Sequence, residues 1–125
     1  MANIREMYYC RHCRMLVGVS QAGGGKLSCC GEEMSLLKPN TTDAAGEKHV
    51  PVVVDKGDFI EVNIGSVEHP MTPEHHILFI IVVTADKVYK AELKPGDKPS
   101  ATFPIKLSEV IEVREFCNLH MLWKA

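Results

Sequence analysis

Four cysteines within the first 30 residues constrain this chain more than any other feature. Cys10 and Cys13 form a C-x2-C pair, and Cys29 and Cys30 are adjacent. Four thiolates suit a tetrahedral zinc or iron site, and a two-residue gap lets the backbone turn two sulfurs toward one ion. The segment that carries them is too short to bury enough apolar surface alone. The sequence therefore predicts a small, metal-held domain over residues 1–37.

The adjacent pair Cys29-Cys30 requires a sharp bend in the backbone if both cysteines bind one ion. Neighbouring residues of an extended chain point in opposite directions, so both sulfurs reach one ion only where the chain bends sharply. Gly31 follows directly and makes such a bend easier. A structural zinc ion and an electron-transfer iron both remain open here, whereas disulfides are less compatible with a cytoplasmic protein. His12 is expected to be exposed and not a ligand.

Composition restricts the possible partners. The chain has 125 residues and a net charge of −2, with 14 basic and 16 acidic residues, so no global positive field would hold nucleic acid. The longest apolar run, Ile77 to Val83, is too short to cross a bilayer. The N-terminus lacks the apolar core of a signal peptide. We therefore expect a cytoplasmic protein without nucleic-acid or membrane partners.

The chain after residue 37 has a β pattern. Loop-forming residues predict a linker over 38–48, and residues 49–125 predict an antiparallel β-sandwich. Ile60, Val62 and Ile64 alternate with polar residues, as in a half-buried strand. No helix of ten or more residues is expected. The predicted strands are 7–9, 15–19 and 34–37 in the first segment, and 50–54, 58–64, 77–84, 88–93, 101–106 and 110–116 in the second.

Histidines and the last cysteine form a second constellation. Taken singly, each is an ordinary surface or core residue, but five candidate ligands occur at strand ends and turns: His49, His69, His75, Cys117 and His120. Imidazoles suit iron, copper or zinc, and one thiolate would make the site electron-rich. Structural zinc sites have four ligands. Five candidates therefore predict a square-pyramidal ion with one open position for substrate.

These motifs, in this order, resemble those of desulfoferrodoxin, the two-iron superoxide reductase family. Cys10-x2-Cys13 with Cys29-Cys30 is similar to the desulforedoxin domain of that family. Six later segments resemble motifs of the family's catalytic domain. They are Glu47-Lys48-His49-Val50-Pro51, His69-Pro70-Met71, Glu74-His75, Leu93-Lys94-Pro95-Gly96, Cys117-Asn118-Leu119-His120 and Leu122-Trp123-Lys124. The resemblance covers nearly the whole chain. It implies a desulforedoxin-like domain followed by an immunoglobulin-like β-sandwich over residues 49–125, usually as a homodimer.

The resemblance also implies roles for residues. The four N-terminal cysteines would hold a rubredoxin-like iron that transfers electrons. The catalytic iron would take four histidines in its equatorial plane, namely His49, His69, His75 and His120, with Cys117 as axial thiolate. Glu47 would cap the open position of the ferric ion, and Lys48 would be the nearby cation. Superoxide would be reduced to hydrogen peroxide, with electrons from reduced rubredoxin or a similar carrier.

Four features depart from the family pattern: Met121, His76, Pro73, which is less usual in its loop, and the absence of a tryptophan that often follows shortly after His76. Met121 replaces a common glycine after the last histidine, and His76, a rival ligand beside His75, replaces an aromatic residue. His75 is preferred because its six-residue step from His69 is that of the family. A two-iron electron carrier without substrate and a zinc-stapled binding module are the competing hypotheses.

Overall fold

The computed structural model describes residues 2–40, 49–66 and 68–125. The chain divides into two compact units, Met1–Lys38 and Pro39–Ala125. The described residues form antiparallel strands and one short 3-10 turn at Leu107–Glu109. Within those ranges no helix is both long and apolar enough to cross a membrane. The predicted mainly β fold class is confirmed.

The first unit combines a small sheet with a hairpin. Its strands are β1 (Met7–Tyr9), β2 (Leu16–Gly18), β3 (Ser28–Cys29), β4 (Glu32–Glu33) and β5 (Ser35–Leu37). The sheet has the order β2-β1-β5, and the hairpin joins β3 to β4. Few of the described apolar side chains in this unit are buried, among them Tyr9, Met34 and Leu37. This is the small apolar core expected of a unit that depends on a metal.

The sharp bend predicted at the adjacent cysteines is present. Cys30 and Gly31 form the two-residue loop of the β3–β4 hairpin, with φ angles of 52° and 77°. Positive φ at both central residues is the pattern of the type I′ turn, which matches the twist of two-residue hairpins. A second turn surrounds the first cysteine pair, because the Arg14 N–H donates to the Cys10 carbonyl at 2.8 Å.

The second unit is a seven-stranded sandwich. The strands are β6 (Pro51–Asp55), β7 (Ile60–Ile64), β8 (Ile77–Val83), β9 (Val88–Glu92), β10 (Ser100–Phe103), β11 (Glu112–Cys117) and β12 (Met121–Lys124). One sheet has the order β10-β7-β6 and the other β12-β11-β8-β9, with antiparallel pairing throughout. Buried residues of both sheets form one core, in which Ile60 and Val62 pack with Ile80 and Val113. This four-plus-three arrangement is immunoglobulin-like.

Strand ends place the candidate ligands of this unit. Cys117, the last residue of β11, pairs with Ile77, the first of β8, and with Met121, the first of β12. His75 and His120 therefore lie just before β8 and β12, the two strands that flank β11, at one end of the sheet. A register shift between Phe116 and Cys117 marks a β-bulge, a device that redirects side chains at the edge of a site.

Candidate metal centres

The four N-terminal cysteines converge on one point. Their Sγ atoms all lie within 4.8 Å of one another. Cys13 and Cys29 Sγ are 3.5 Å apart, and Cys29 and Cys30 Sγ are 3.8 Å apart. A tetrahedron with metal–sulfur bonds of about 2.3 Å has edges of about 3.8 Å, whereas a disulfide would need about 2 Å. All five cysteines are free, so this group fits a single metal ion.

Hydrogen bonds already polarise these thiols. The Cys13 N–H lies 3.5 Å from Cys10 Sγ and lowers the pKa of that thiol to about 6. The neighbouring Cys13 thiol raises the pKa of Cys29 to about 12. The cluster therefore favours a thiolate at Cys10, and a metal that binds all four sulfurs must displace the remaining protons. His12 lies outside this group and pairs with Glu32 at 2.9 Å, with its side chain 53% exposed.

The four predicted histidines form a closed ring of imidazoles. Successive centroids are 4.6 Å apart for His49–His69, 4.7 Å for His69–His75, 5.0 Å for His75–His120 and 4.6 Å for His120–His49. The diagonal from His49 to His75 is 6.2 Å. A square has a diagonal about 1.4 times its side, whereas all separations in a tetrahedron are equal. The four rings therefore approach a square and fit an equatorial ligand set.

Cys117 lies beside this square of rings. Its Sγ is 3.9 Å from His120 Nδ1, and the ligand atoms of His49, Cys117 and His120 lie within 4.8 Å of one another. Burial is complete and raises the pKa of the Cys117 thiol, while the backbone N–H groups of His120 and Leu119 lower it. Those N–H groups would stabilise a thiolate once a cation is bound. The candidate donor set is therefore four nitrogens and one sulfur.

Ring orientations agree with nitrogens directed at a common centre. His69 Nδ1 lies 2.6 Å from the Pro70 carbonyl oxygen, to which it donates, so the Nε2 lone pair is the one left for a metal. The ligand atoms of His49, His69 and His75 lie within 4.8 Å of one another. His76 is oriented elsewhere, because its Nδ1 lies 3.1 Å from the Thr72 carbonyl oxygen. The structure therefore groups His75, and not its neighbour, with the other rings.

Two residues behind the rings were not predicted as functional. The Trp123 indole stacks on His49 with centroids 4.7 Å apart and donates from Nε1 to the His120 carbonyl at 2.9 Å. Glu115 is fully buried on β11, with Oε1 3.7 Å from His49 Nδ1. Desolvation raises the pKa of Glu115 to about 9. Trp123 therefore restrains the face of the His49 ring, and Glu115 restrains its Nδ1 edge.

The strand pattern contained a signal for Glu115. Alternate residues of a strand share a face, so Val113, Glu115 and Cys117 point the same way. A carboxylate between a core valine and a candidate ligand indicates a buried acid beside the site. The remaining two predicted site residues, Glu47 and Lys48, lie outside the described residues.

Comparisons with known proteins agree over the whole chain. The sequence profile of desulfoferrodoxin matches residues 41–125, and that of the desulfoferrodoxin N-terminal domain matches residues 2–37. Desulfoferrodoxin of Nitratidesulfovibrio vulgaris is 50% identical over 125 residues, covering 100% of this chain and 98% of that protein.

Solved structures give the same result. The superoxide reductase from Treponema pallidum superposes with a TM-score of 0.76 at 32% identity, covering 96% of this chain and 95% of that one. The superoxide reductase from Giardia intestinalis superposes with a TM-score of 0.54 at 27% identity, covering 63% of this chain and 95% of that one. The chain therefore belongs to the desulfoferrodoxin family.

Proposed function

We propose that this chain is a superoxide reductase, an oxidoreductase that converts superoxide to hydrogen peroxide with one electron and two protons. The observation that carries the proposal is the square of four imidazoles with a buried thiol beside it. Five protein ligands leave one position of an octahedral ion open. Related solved proteins named superoxide reductases support the same activity.

The candidate ligands of the second unit would have separate roles in this reaction. Four histidines and Cys117 would hold one iron, which when ferrous supplies the electron for superoxide. The Cys117 thiolate adds electron density to the ligand set and favours loss of that electron. His49, His69 and Cys117 are buried, whereas His120 is exposed, so a small anion could approach from the His120 side.

We also propose roles for the first unit, for an electron donor, and for Lys48 and Glu47. Its four cysteines would hold a second, electron-transfer iron. Reduced rubredoxin or a similar carrier would supply electrons to a cytoplasmic homodimer. Lys48 would attract superoxide, since the net charge of −2 gives no global attraction for an anion. Glu47 would bind the ferric ion after turnover, because a carboxylate prefers the harder ion.

Metal content and visible spectra test the two sites. We expect two irons per chain, with a thiolate-to-iron absorption that appears on oxidation and disappears in Cys117→Ser. Cys13→Ser is the matched control, because it should alter only the four-cysteine signal. One zinc per chain and no oxidation-dependent colour, even after iron reconstitution, would contradict the proposed function.

Rapid kinetics with pulsed superoxide test the two residues ahead of His49. Lys48→Ile should slow the encounter, and the difference should shrink at high salt because screening shortens the reach of a charge to about 3 Å at 1 M. Glu47→Ala should leave the fast step largely unchanged. An unchanged rate in Lys48→Ile would contradict electrostatic guidance, and a large loss in Glu47→Ala would contradict the capping role.

A further inference from the structure

Asn118 lies between two proposed ligands, in the loop that joins β11 to β12. Its backbone N–H donates to the His76 carbonyl at 3.2 Å. Its side chain makes two further bonds to the same distant segment. The His76 N–H donates to Asn118 Oδ1 at 2.9 Å, and Asn118 Nδ2 donates to the Glu74 carbonyl at 2.9 Å. The amide therefore bonds the main chain on both sides of His75.

The two side-chain bonds fix the orientation of the amide. A main-chain N–H only donates and a carbonyl only accepts, so Oδ1 must face His76 and Nδ2 must face Glu74. Both bonds span more than 40 residues of sequence. They join the loop that carries His75 to the turn that carries Cys117 and His120, at the point where the β8–β11 ladder has ended.

We propose that Asn118 is a positioning residue that sets the place of His75 in the ligand square. The ladder fixes Cys117 against Ile77 but ends there, so it does not extend to His75. Thr72 restrains His75 only within its own loop, because the His75 N–H lies 3.1 Å from Thr72 Oγ1. The Asn118 N–H bonds the His76 carbonyl, and the side-chain amide adds two bonds that join the main chain on both sides of His75 to the opposite side of the square. This inference rests on the proposed metal site.

Metal release tests the inference without relying on turnover. Iron-loaded full-length chains are exposed to a chelator, and loss of the oxidised thiolate-to-iron band is followed at equilibrium. Asn118→Ala should weaken iron binding at the histidine–cysteine site by about 10–100-fold, the usual effect of removing a group that orients a ligand. The four-cysteine iron of the same chain, which has its own absorption, should be unaffected. The band of the iron that remains bound should also shift in energy.

Two further variants separate positioning from general stabilisation. Asn118→Asp keeps the acceptor for His76 but loses the donor to Glu74, so it should weaken iron binding in the same direction as Asn118→Ala. Asn63→Ala is the matched control. Asn63 also makes two side-chain hydrogen bonds, to Glu61 at 3.0 Å and from Ser100 at 2.8 Å, but both lie along strands β7 and β10. Asn63→Ala should retain the iron affinity of the unmodified chain.

The possible results are distinguishable. Equal iron affinity in the unmodified chain and Asn118→Ala would overturn the inference and leave the proposed function intact, even if the metal-free variant were less stable. Wild-type affinity in Asn118→Asp would also overturn it, because the bond to Glu74 would then be irrelevant to the site. If the unmodified chain held no metal among the histidines after reconstitution, the proposed function and the inference would both fail.

Discussion

The buried carboxyl of Glu115 makes the stability of the metal-free protein depend on pH in a direction opposite to that of most acids. Desolvation raises the pKa of Glu115 from 4.5 to about 9 in the folded chain. Between those values the folded protein keeps a proton that the unfolded chain releases. The contribution of Glu115 to the free energy of unfolding is therefore greatest below pH 4.5 and is lost as the pH rises toward 9.

The magnitude follows from the size of the shift. One pKa unit corresponds to about 1.4 kcal/mol, so the free energy of unfolding should fall by up to about 1.4 kcal/mol per pH unit across this window. The full interval amounts to about 6 kcal/mol, an upper bound for this group alone. In Glu115→Gln the group is neutral in both states, so its contribution to the slope should vanish.

Urea unfolding of metal-free protein at a series of pH values measures this difference. The curve for the unmodified chain should descend relative to that for Glu115→Gln between pH 5 and pH 9, and subtraction removes the titration of other groups. Glu112→Gln is the control on the same strand, since Glu112 is partly exposed and pairs with Arg114 and Lys124 outside the apolar core. Parallel curves for the unmodified chain and Glu115→Gln would refute the reasoning.

Three further predictions concern backbone strain and packing, each measured as the free energy of unfolding. Gly31→Ala should destabilise the metal-loaded first unit by about 1–2 kcal/mol, because Gly31 has φ 77°, whereas Gly24→Ala, at an open position without positive φ, should not. Met121 has φ 66°, so Met121→Val should cost about 1–2 kcal/mol, while Met121→Gly should change stability by less than about 1 kcal/mol. Ile80→Ala in the core should cost about 2–5 kcal/mol, against less than about 0.5 kcal/mol for the exposed Ile111→Ala.

Strands that bury one face could be predicted from the sequence because their side chains alternate. Ile60, Val62 and Ile64 are all buried on β7, as the alternation indicates, and the apolar run from Ile77 forms the central strand β8. The short hairpin β3–β4 was not predicted, because two-residue strands leave no periodic signal. Strand β12 was also missed, because Met121–Lys124 follows a ligand motif without a turn residue of its own.

The position of Met121 shows what a departure from the family pattern means physically. The loop of three residues between Cys117 and Met121 leads into a left-handed residue, as is common in such hairpins. Glycine adopts that conformation at no steric cost, and methionine does not. The sequence alone shows that methionine replaces glycine here. The energetic cost of that replacement follows from the positive φ of Met121.

Grouping of the candidate ligands could be predicted from their spacing, but their surroundings could not. Histidines at strand ends indicated a shared site, and the structure brings four of them together with Cys117. The contacts of Trp123 with His49 and of Asn118 with Glu74 depend on which strands are neighbours. Pairings of that kind follow from tertiary structure and leave no local trace in a single sequence.

The stoichiometry of superoxide consumption tests the central proposal most directly. Iron-loaded, prereduced protein is mixed with a limiting pulse of superoxide, and hydrogen peroxide and dioxygen are measured together. A superoxide reductase yields one peroxide for each superoxide and no dioxygen, because the electron that reduces superoxide comes from the protein and not from another superoxide ion. One peroxide for every two superoxide ions, with dioxygen released, would indicate a dismutase. Superoxide that decays at the uncatalysed rate would show that the iron does not react with it, and either of these results would contradict the proposed reductase.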